Sequence, residues 1–247
     1  MALPDDDGVI DITIRLGEDV VEQISVPGRI VDHDHPDGTD PDHQHANIFR
    51  YYPLRATLPS PGIYDLDLAI QDAATAEVAT ATLPIQIFES VDARVPLPGE
   101  PFPLIDTPTI DRPEGVDRLC TRFEGICDFH TLNAAEAIGS GRPVALLVAT
   151  PAFCSTAYCG PVLETLIAEA ANHPDVDYIH VEVYANTDEV EGNFADPDIQ
   201  LAPAVIDLGL TFEPALFLID GDGTLVDRID NVFDRTELAD GLANLTA

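Results

Sequence analysis

The stretch ATPAFCSTAYCGPVLETL, residues 149–166, contains two of the four cysteines of the chain, Cys154 and Cys159. It follows the apolar run VALLV (residues 144–148), which is typical of a buried strand, and residues 162–171 have the apolar stripe of a helix. A strand, a short turn with paired cysteines and a helix form an arrangement suited to thiol chemistry. We therefore expect this stretch to organise the C-terminal half of the chain.

The spacing of the two cysteines restricts how they bond. Residues five positions apart on an ideal α-helix are about 8–9 Å apart at Cα, whereas a disulfide requires less than about 7 Å. Cys154 and Cys159 can bridge only if Cys154 lies in the loop or if the first helical turn unwinds. Pro161 favours a helix that begins near it. Cys159 would then lie at the helix N-terminus, where exposed amides lower the pKa of a nearby thiol.

Both flanks of this stretch have recognisable patterns. In residues 128–247 the pattern predicts helices over 131–138, 162–171, 201–208 and 235–245, and strands over 144–148, 176–184, 215–220 and 224–229. This order predicts an α/β domain with a mixed sheet flanked by helices. Residues 1–90 contain short alternating segments (10–16, 20–26, 48–58, 63–70 and 77–88), which predict a small antiparallel β-sandwich of immunoglobulin-like type. Residues 91–127 are proline-rich and are predicted to be a linker that carries Cys120 and Cys127.

The C-terminal half resembles the thioredoxin superfamily over roughly residues 128–247. Phe153-Cys154 stands where that family has Trp-Cys, residues 212–214 (FEP) stand where it has its cis-proline, and residues 220–223 (DGDG) match its hairpin. Two features depart from the family: four residues rather than two separate the cysteines, and residues 144–149 contain no acid. With the β module in front, the chain also resembles bacterial thioredoxin-family proteins of unassigned function.

The resemblance implies a thiol–disulfide oxidoreductase that needs no cofactor and acts on protein thiols and disulfides. Cys154 would be the nucleophile, Cys159 the resolving cysteine, and Pro214 would present backbone to the bound partner. One alternative is a binding or interaction protein with a structural disulfide on the same scaffold. A peroxiredoxin-like peroxidase is a weaker alternative, because Pro151 occupies the position of the threonine in that family.

Proton transfer would require other side chains. In the predicted strand 176–184, His180 and Glu182 share one face, and either one is a candidate to carry the proton of the thiol. A solvated or salt-bridged strand face explains the same pattern.

Two further groups of residues are candidate sites. Cys120 and Cys127 favour a structural disulfide that pins the linker, while a Cys2His zinc site with the nearby His130 lacks a fourth ligand in the sequence. An Asp-rich loop contains two His-x-His pairs that would suit Zn²⁺ or Cu²⁺, although incidental histidines in an acidic loop are the favoured interpretation. These histidines are His33, His35, His43 and His45.

The overall charge excludes several classes of partner. The chain has 45 acidic against 11 basic residues and a net charge of −34, so nucleic acids and anionic membranes would be repelled. No apolar run reaches the ~20 residues of a membrane span. The first residues lack the features of a signal peptide, so we expect either a cytoplasmic protein or an exported one whose signal lies outside this sequence. The paired cysteines favour the extracytoplasmic alternative.

Overall fold

A computed structural model describes residues 8–31, 49–71, 78–156, 158–191, 193 and 196–245. The described part of the chain divides into two compact units, residues 8–93 and 94–245. It is a mixed α/β structure, with antiparallel strands in the first unit and a mixed sheet with short helices in the second.

The first unit contains one four-stranded antiparallel sheet and one two-stranded ribbon. The sheet has the strand order β2-β1-β5-β6, and β3 pairs with β4 in the ribbon. The strands are β1 (Val9–Leu16), β2 (Asp19–Pro27), β3 (Arg29–Val31), β4 (Phe49–Tyr51), β5 (Gly62–Gln71) and β6 (Val78–Ile87). The predicted strand 48–58 is thus limited to three residues, and β3 was not predicted.

Alternating side chains of β1 form the core of this unit. Ile10, Ile12 and Ile14 are buried, whereas Val9, which precedes them, and Asp11, which lies between the first two, are exposed. Successive side chains of a strand point to opposite faces, so this alternation buries one face of the sheet and exposes the other. Tyr64 of β5 is fully buried in the same cluster, and its hydroxyl donates to the Ser60 carbonyl at 2.6 Å.

The second unit is built on a four-stranded mixed sheet with the order β10-β9-β7-β8. The strands are β7 (Val144–Val148), β8 (Asp177–Val181), β9 (Ala215–Ile219) and β10 (Leu225–Asp230). The central strands β7 and β9 are buried along their whole length. This explains their uninterrupted apolar sequences, since a strand covered on both faces has no polar side to show.

Five helices accompany the sheet in the described residues. They are α1 (Ala134–Ala137), α2 (Cys159–Ala170), α3 (Thr187–Val190), α4 (Pro203–Asp207) and α5 (Arg235–Leu245). Side chains of α2 and α5 pack with Leu147 and Leu218 on one face of the sheet. Side chains of α1 and α4 pack with Leu146 and Phe217 on the other face. Alternate residues of each central strand therefore belong to different cores.

The helix boundaries follow local signals. Helix α5 has the predicted bounds, and the Asp234 carboxylate accepts the Glu237 amide at 2.8 Å as a cap. Helix α1 is shorter than the predicted 131–138, because Asn133 rather than Thr131 caps it and accepts the Ala135 amide at 2.9 Å. Asn is among the strongest residues at this position.

The proline-rich segment before α1 packs against the mixed sheet. Phe102, Ile105 and Val116 are buried in the core that contains α1 and α4, and Pro101 forms a β-bridge with Thr224. Residues 94–127, predicted to be part of a linker, therefore belong to the second unit. Its prolines restrict the backbone, while the apolar residues between them supply the contacts with the core.

Candidate functional site

The two cysteines of the opening stretch lie at one edge of the mixed sheet. Strand β7 runs parallel to β8 and antiparallel to β9, and Val148 pairs with both Val181 and Ala215. The C-terminal ends of β7 and β8 and the N-terminal end of β9 consequently meet at the same edge. The loop after β7, which carries Cys154, and Pro214, which precedes β9, both begin there.

Cys154 and Cys159 are bonded as a disulfide. Cys159 is the first residue of α2, and Cys154 lies in the loop before it. Their Cα atoms are 5.9 Å apart, which is within the range of a disulfide and shorter than an ideal helix allows. This is the first of the two geometries that the spacing permits. The helix begins two residues before Pro161, so the proline occupies its first turn, where its missing N–H costs nothing.

The two sulfur atoms differ in their surroundings. Cys159 is fully buried, whereas Cys154 is partly exposed. The backbone amide of Cys159 donates to the Cys154 sulfur at 3.3 Å, and the Thr156 hydroxyl lies 3.2 Å from the same sulfur. Because the first amides of a helix have no partner within it, this amide is free to stabilise negative charge on Cys154.

The segment before β9 contacts the cysteine loop. The Ser155 hydroxyl donates to the Glu213 carboxylate at 3.2 Å. The Glu213–Pro214 peptide bond is cis. Phe153 is buried and packs edge-on against Tyr184, with ring centroids 6.4 Å apart. Pro214, Cys154 and Tyr184 are thus gathered around one loop.

Glu182 is buried just beyond β8 and is bound mainly by Thr121. The carboxylate accepts the Thr121 hydroxyl at 2.7 Å and the Thr121 amide at 3.1 Å, as well as the Val183 amide at 3.0 Å. Burial raises the pKa of Glu182 against the opposing effect of these hydrogen bonds and of His180. The Thr121 hydroxyl also accepts the Ala152 amide at 3.1 Å. Glu182 therefore reaches the cysteine loop through Thr121 and not through a direct bond to either cysteine.

Cys120 and Cys127 form a second cluster together with two histidines. Both cysteines are free thiols, so the structure differs from the predicted disulfide between them. One ligand atom from each of Cys120, Cys127, His130 and His180 lies within 4.8 Å of the others. The Cys127 sulfur is 3.6 Å from His180 Nδ1, and this Nδ1 is 3.2 Å from His130 Nε2. Each thiol thus lies beside an imidazole as well as beside the other sulfur.

His180 is the residue of this cluster that the sequence analysis did not connect with Cys120 and Cys127, since it was predicted to serve the Cys154–Cys159 pair. It lies on β8, fifty positions after His130, and is completely buried. The only sequence signal was the Cys-x-x-His spacing of Cys127 and His130, which lacked a fourth ligand. The sheet brings His180 to Cys127 and His130, so it faces these residues and not the Cys154–Cys159 pair.

The four side chains of the cluster change one another's pKa values. A hydrogen bond from Cys127, with further ones from the two histidines, lowers the pKa of Cys120, whereas the same bond and burial raise the pKa of Cys127. Burial lowers the pKa of His130. Burial alone would also lower the pKa of His180, but the neighbouring Cys120 and Glu182 raise it overall. The cluster thus favours a thiolate beside imidazole nitrogens.

The four loop histidines, His33, His35, His43 and His45, lie outside the described residues.

Within the described ranges, no helix has the length and apolar character needed to cross a membrane. No protein-family model matches the chain, and a search of the curated proteins found no match.

Proposed function

We propose that this protein is a thiol–disulfide oxidoreductase that acts through Cys154 and Cys159 in a thioredoxin-like second domain. The asymmetry of the pair is the observation that carries this proposal. The partly exposed sulfur of Cys154 accepts the first amide of α2, and the sulfur of Cys159 lies buried behind it. An accessible, stabilised thiolate and a protected second thiol are the two parts that exchange requires.

The order of elements supports the thioredoxin-like architecture. Strand β7, the cysteine loop and α2 are followed by β8, the short helices, β9, the hairpin to β10, and α5, as the resemblance implied. Pro214 directly precedes β9 and reaches the cysteine loop through the contact between Glu213 and Ser155. The division of the chain into two compact units supports a separate N-terminal β domain.

The reaction proceeds in two exchanges. In the reduced protein, the Cys154 thiolate attacks one sulfur of a partner disulfide, which forms a mixed disulfide and releases the other partner sulfur as a thiolate. Cys159 then gives up its proton, and its thiolate attacks the Cys154 sulfur, re-forms the intramolecular disulfide and releases the second partner sulfur. The proton of Cys159 leaves with that departing sulfur. Two electrons pass from the pair to the partner, and the partner disulfide becomes one thiol and one thiolate, which takes its proton from water.

Helix α2 contributes to the first step. Its N-terminal amides and dipole favour the thiolate over the thiol at Cys154, so more of this cysteine is reactive at neutral pH. Protein disulfides are the substrate class that the Cys154 sulfur suits, because this cysteine is partly exposed and an attacking sulfur must be accessible. The net charge of −34 would repel acidic partners and favour basic or neutral ones.

Reduction of insulin by a dithiol, catalysed by the full chain, tests the proposal. We expect the wild type to accelerate the reaction and Cys154→Ser to abolish the acceleration, since the attacking sulfur is lost. Cys159→Ser should accumulate a mixed disulfide with the substrate, visible by intact mass, because the resolving sulfur is missing. Ser140→Ala, at an exposed serine before β7 and away from the cysteine loop, is the control and should retain activity. Equal background rates for wild type and Cys154→Ser would instead indicate a non-catalytic binding protein with a structural disulfide.

A further inference from the structure

The cluster of Cys120, Cys127, His130 and His180 has the composition of a metal centre. Two thiols and two imidazoles are the ligand set of many structural zinc sites. His130, His180 and Cys127 are buried, and Cys120 is partly buried. We propose that these four side chains bind one Zn²⁺ ion in a closed structural site, separate from the Cys154–Cys159 pair.

The distances between the ligand atoms agree with a tetrahedral zinc ion. With Zn–S near 2.3 Å and Zn–N near 2.05 Å, the edges of a tetrahedron are about 3.3 Å between two nitrogens and about 3.6 Å between nitrogen and sulfur. The observed separations are 3.2 Å between His180 Nδ1 and His130 Nε2, and 3.6 Å between His180 Nδ1 and the Cys127 sulfur. All four ligand atoms lie within 4.8 Å of one another. Both observed separations therefore match edges of such a tetrahedron, and the four ligand atoms are close enough together to share one ion.

Outer contacts orient these ligands. His180 Nε2 lies 3.1 Å from the Ala149 carbonyl, which fixes the proton on Nε2 and leaves the lone pair of Nδ1 facing the cluster. A hydrogen bond from the second ring nitrogen to a carbonyl is the usual support of a metal-bound histidine. The amide of Phe129 also hydrogen-bonds the Cys127 sulfur and so helps to orient it. His130 Nε2 lies 3.2 Å from His180 Nδ1, so in the metal-free protein a proton on His130 Nε2 joins the two nitrogens, and Zn²⁺ would take the place of that proton.

The chemistry of the ligands selects the ion. Sulfur and imidazole ligands disfavour Mg²⁺ and Ca²⁺, which take oxygen. Two thiolates balance the charge of Zn²⁺, so the buried site would be neutral and would avoid the cost of an isolated charge. Four protein ligands leave no open position for water or substrate, which is the arrangement of structural rather than catalytic zinc.

The site would join parts of the chain that are distant in sequence. It ties the segment from Cys120 to His130 to strand β8. The adjacent Thr121 connects that segment with Glu182 and with the Ala152 amide of the cysteine loop. The proposed ion thus fixes the layer of structure on which the Cys154 loop rests.

Metal content of the full chain, purified under reducing conditions, tests the proposal. We expect about one zinc per chain by elemental mass spectrometry, and after chelation a Co²⁺ titration should produce the thiolate-to-metal charge-transfer band and the visible bands of a tetrahedral site. Cys127→Ser and His180→Gln should lose stoichiometric binding of Zn²⁺. His173→Gln, which alters a histidine outside the cluster, is the matched control and should keep it. The Co²⁺ spectrum of the wild type requires no variant to fold, so the test stands even if a substitution destabilises the chain.

A variant with His33, His35, His43 and His45 all replaced by Ala separates the cluster from the loop histidines. Retention of one zinc by this variant supports the proposal, whereas loss of zinc here and retention in His180→Gln would overturn it. Reduced wild type that takes up neither Zn²⁺ nor Co²⁺ would also overturn it, as would binding of Cu⁺ with no binding of Zn²⁺. Insulin reduction is measured separately, so failure of the redox proposal leaves this result intact.

Discussion

Reduction of the Cys154–Cys159 bond should lower stability by a small and calculable amount. The two cysteines are five positions apart, so the bond restricts only a short loop in the unfolded chain. For that loop the chain-entropy relation gives about 7 cal/mol/K, or about 2 kcal/mol at 25 °C. We therefore expect the free energy of unfolding to fall by about 2 kcal/mol on reduction, against the 5–15 kcal/mol typical of a domain.

Urea unfolding followed by far-ultraviolet circular dichroism, with and without a phosphine reductant, measures this difference. The zinc concentration is held constant so that the cluster at Cys120 and Cys127 is in the same state in both curves. Cys154→Ser is the control, because it has no bond to reduce and its curve should not move. An unchanged wild-type curve, an equal shift in the control, or a loss above about 5 kcal/mol would refute the loop-entropy reasoning.

The same small contribution bears on the redox role of the pair. A bond that stabilises the fold only modestly is one that exchange can break without unfolding the protein. The reduction potential, measured by equilibration with glutathione, should accordingly lie above about −300 mV, below which structural disulfides fall. A lower value would indicate a permanent bond and count against the proposed function.

Three further predictions concern the surroundings of the site and the charge of the chain. Thr121→Val removes the donor to buried Glu182 and the acceptor of the Ala152 amide, and should cost about 1–3 kcal/mol in urea unfolding; Thr121→Ser should retain most of the stability, and equal losses in both variants would contradict this role. Burial alone would raise the pKa of Asp117, but hydrogen bonds from Thr187 lower it overall. The charge of Asp117 therefore stabilises the fold above the unfolded pKa of about 3.9. This stabilisation is lost as the pH falls through the folded pKa. Asp117→Asn should therefore be less stable than wild type by a few tenths to about 1 kcal/mol at pH 7, and the gap should close in acid; a gap that is independent of pH would refute this assignment. Finally, the net charge of −34 should make the melting temperature rise with KCl in differential scanning fluorimetry, because salt screens the repulsion, whereas a flat or falling dependence would contradict it.

The two cysteine pairs show what the spacing of cysteines in the sequence can and does not predict. For Cys154 and Cys159, helix geometry and the position of Pro161 restricted the possibilities to a loop cysteine and a cysteine near the helix start, and the structure has this arrangement. For Cys120 and Cys127, local spacing suggested a disulfide, and the structure has free thiols. The second pair also faces His180, which is distant in sequence and which local spacing does not reveal.

Much of the mixed sheet and its helices was predictable because the signals are short-ranged. The apolar runs of β7 and β9 and the cap of α5 by Asp234 depend on neighbours within a few residues. The packing of the proline-rich segment was not predictable in this way. Phe102 and Val116 are single apolar residues without a period, and only contact with the finished core shows that they are buried.

The sequence by itself determined that an apolar strand leads into a cysteine loop and a helix, and that the pair at 154 and 159 can close only across the start of that helix. These conclusions rest on the rise of a helix and on the reach of a disulfide, which do not depend on the rest of the fold. Only the tertiary structure decided the surroundings of His180. Strand β8 pairs beside β7 and carries this histidine to Cys127 and His130, fifty residues away along the chain. No local sequence pattern predicts that His180 lies beside Cys127 and His130, because this contact results from the packing of the whole sheet.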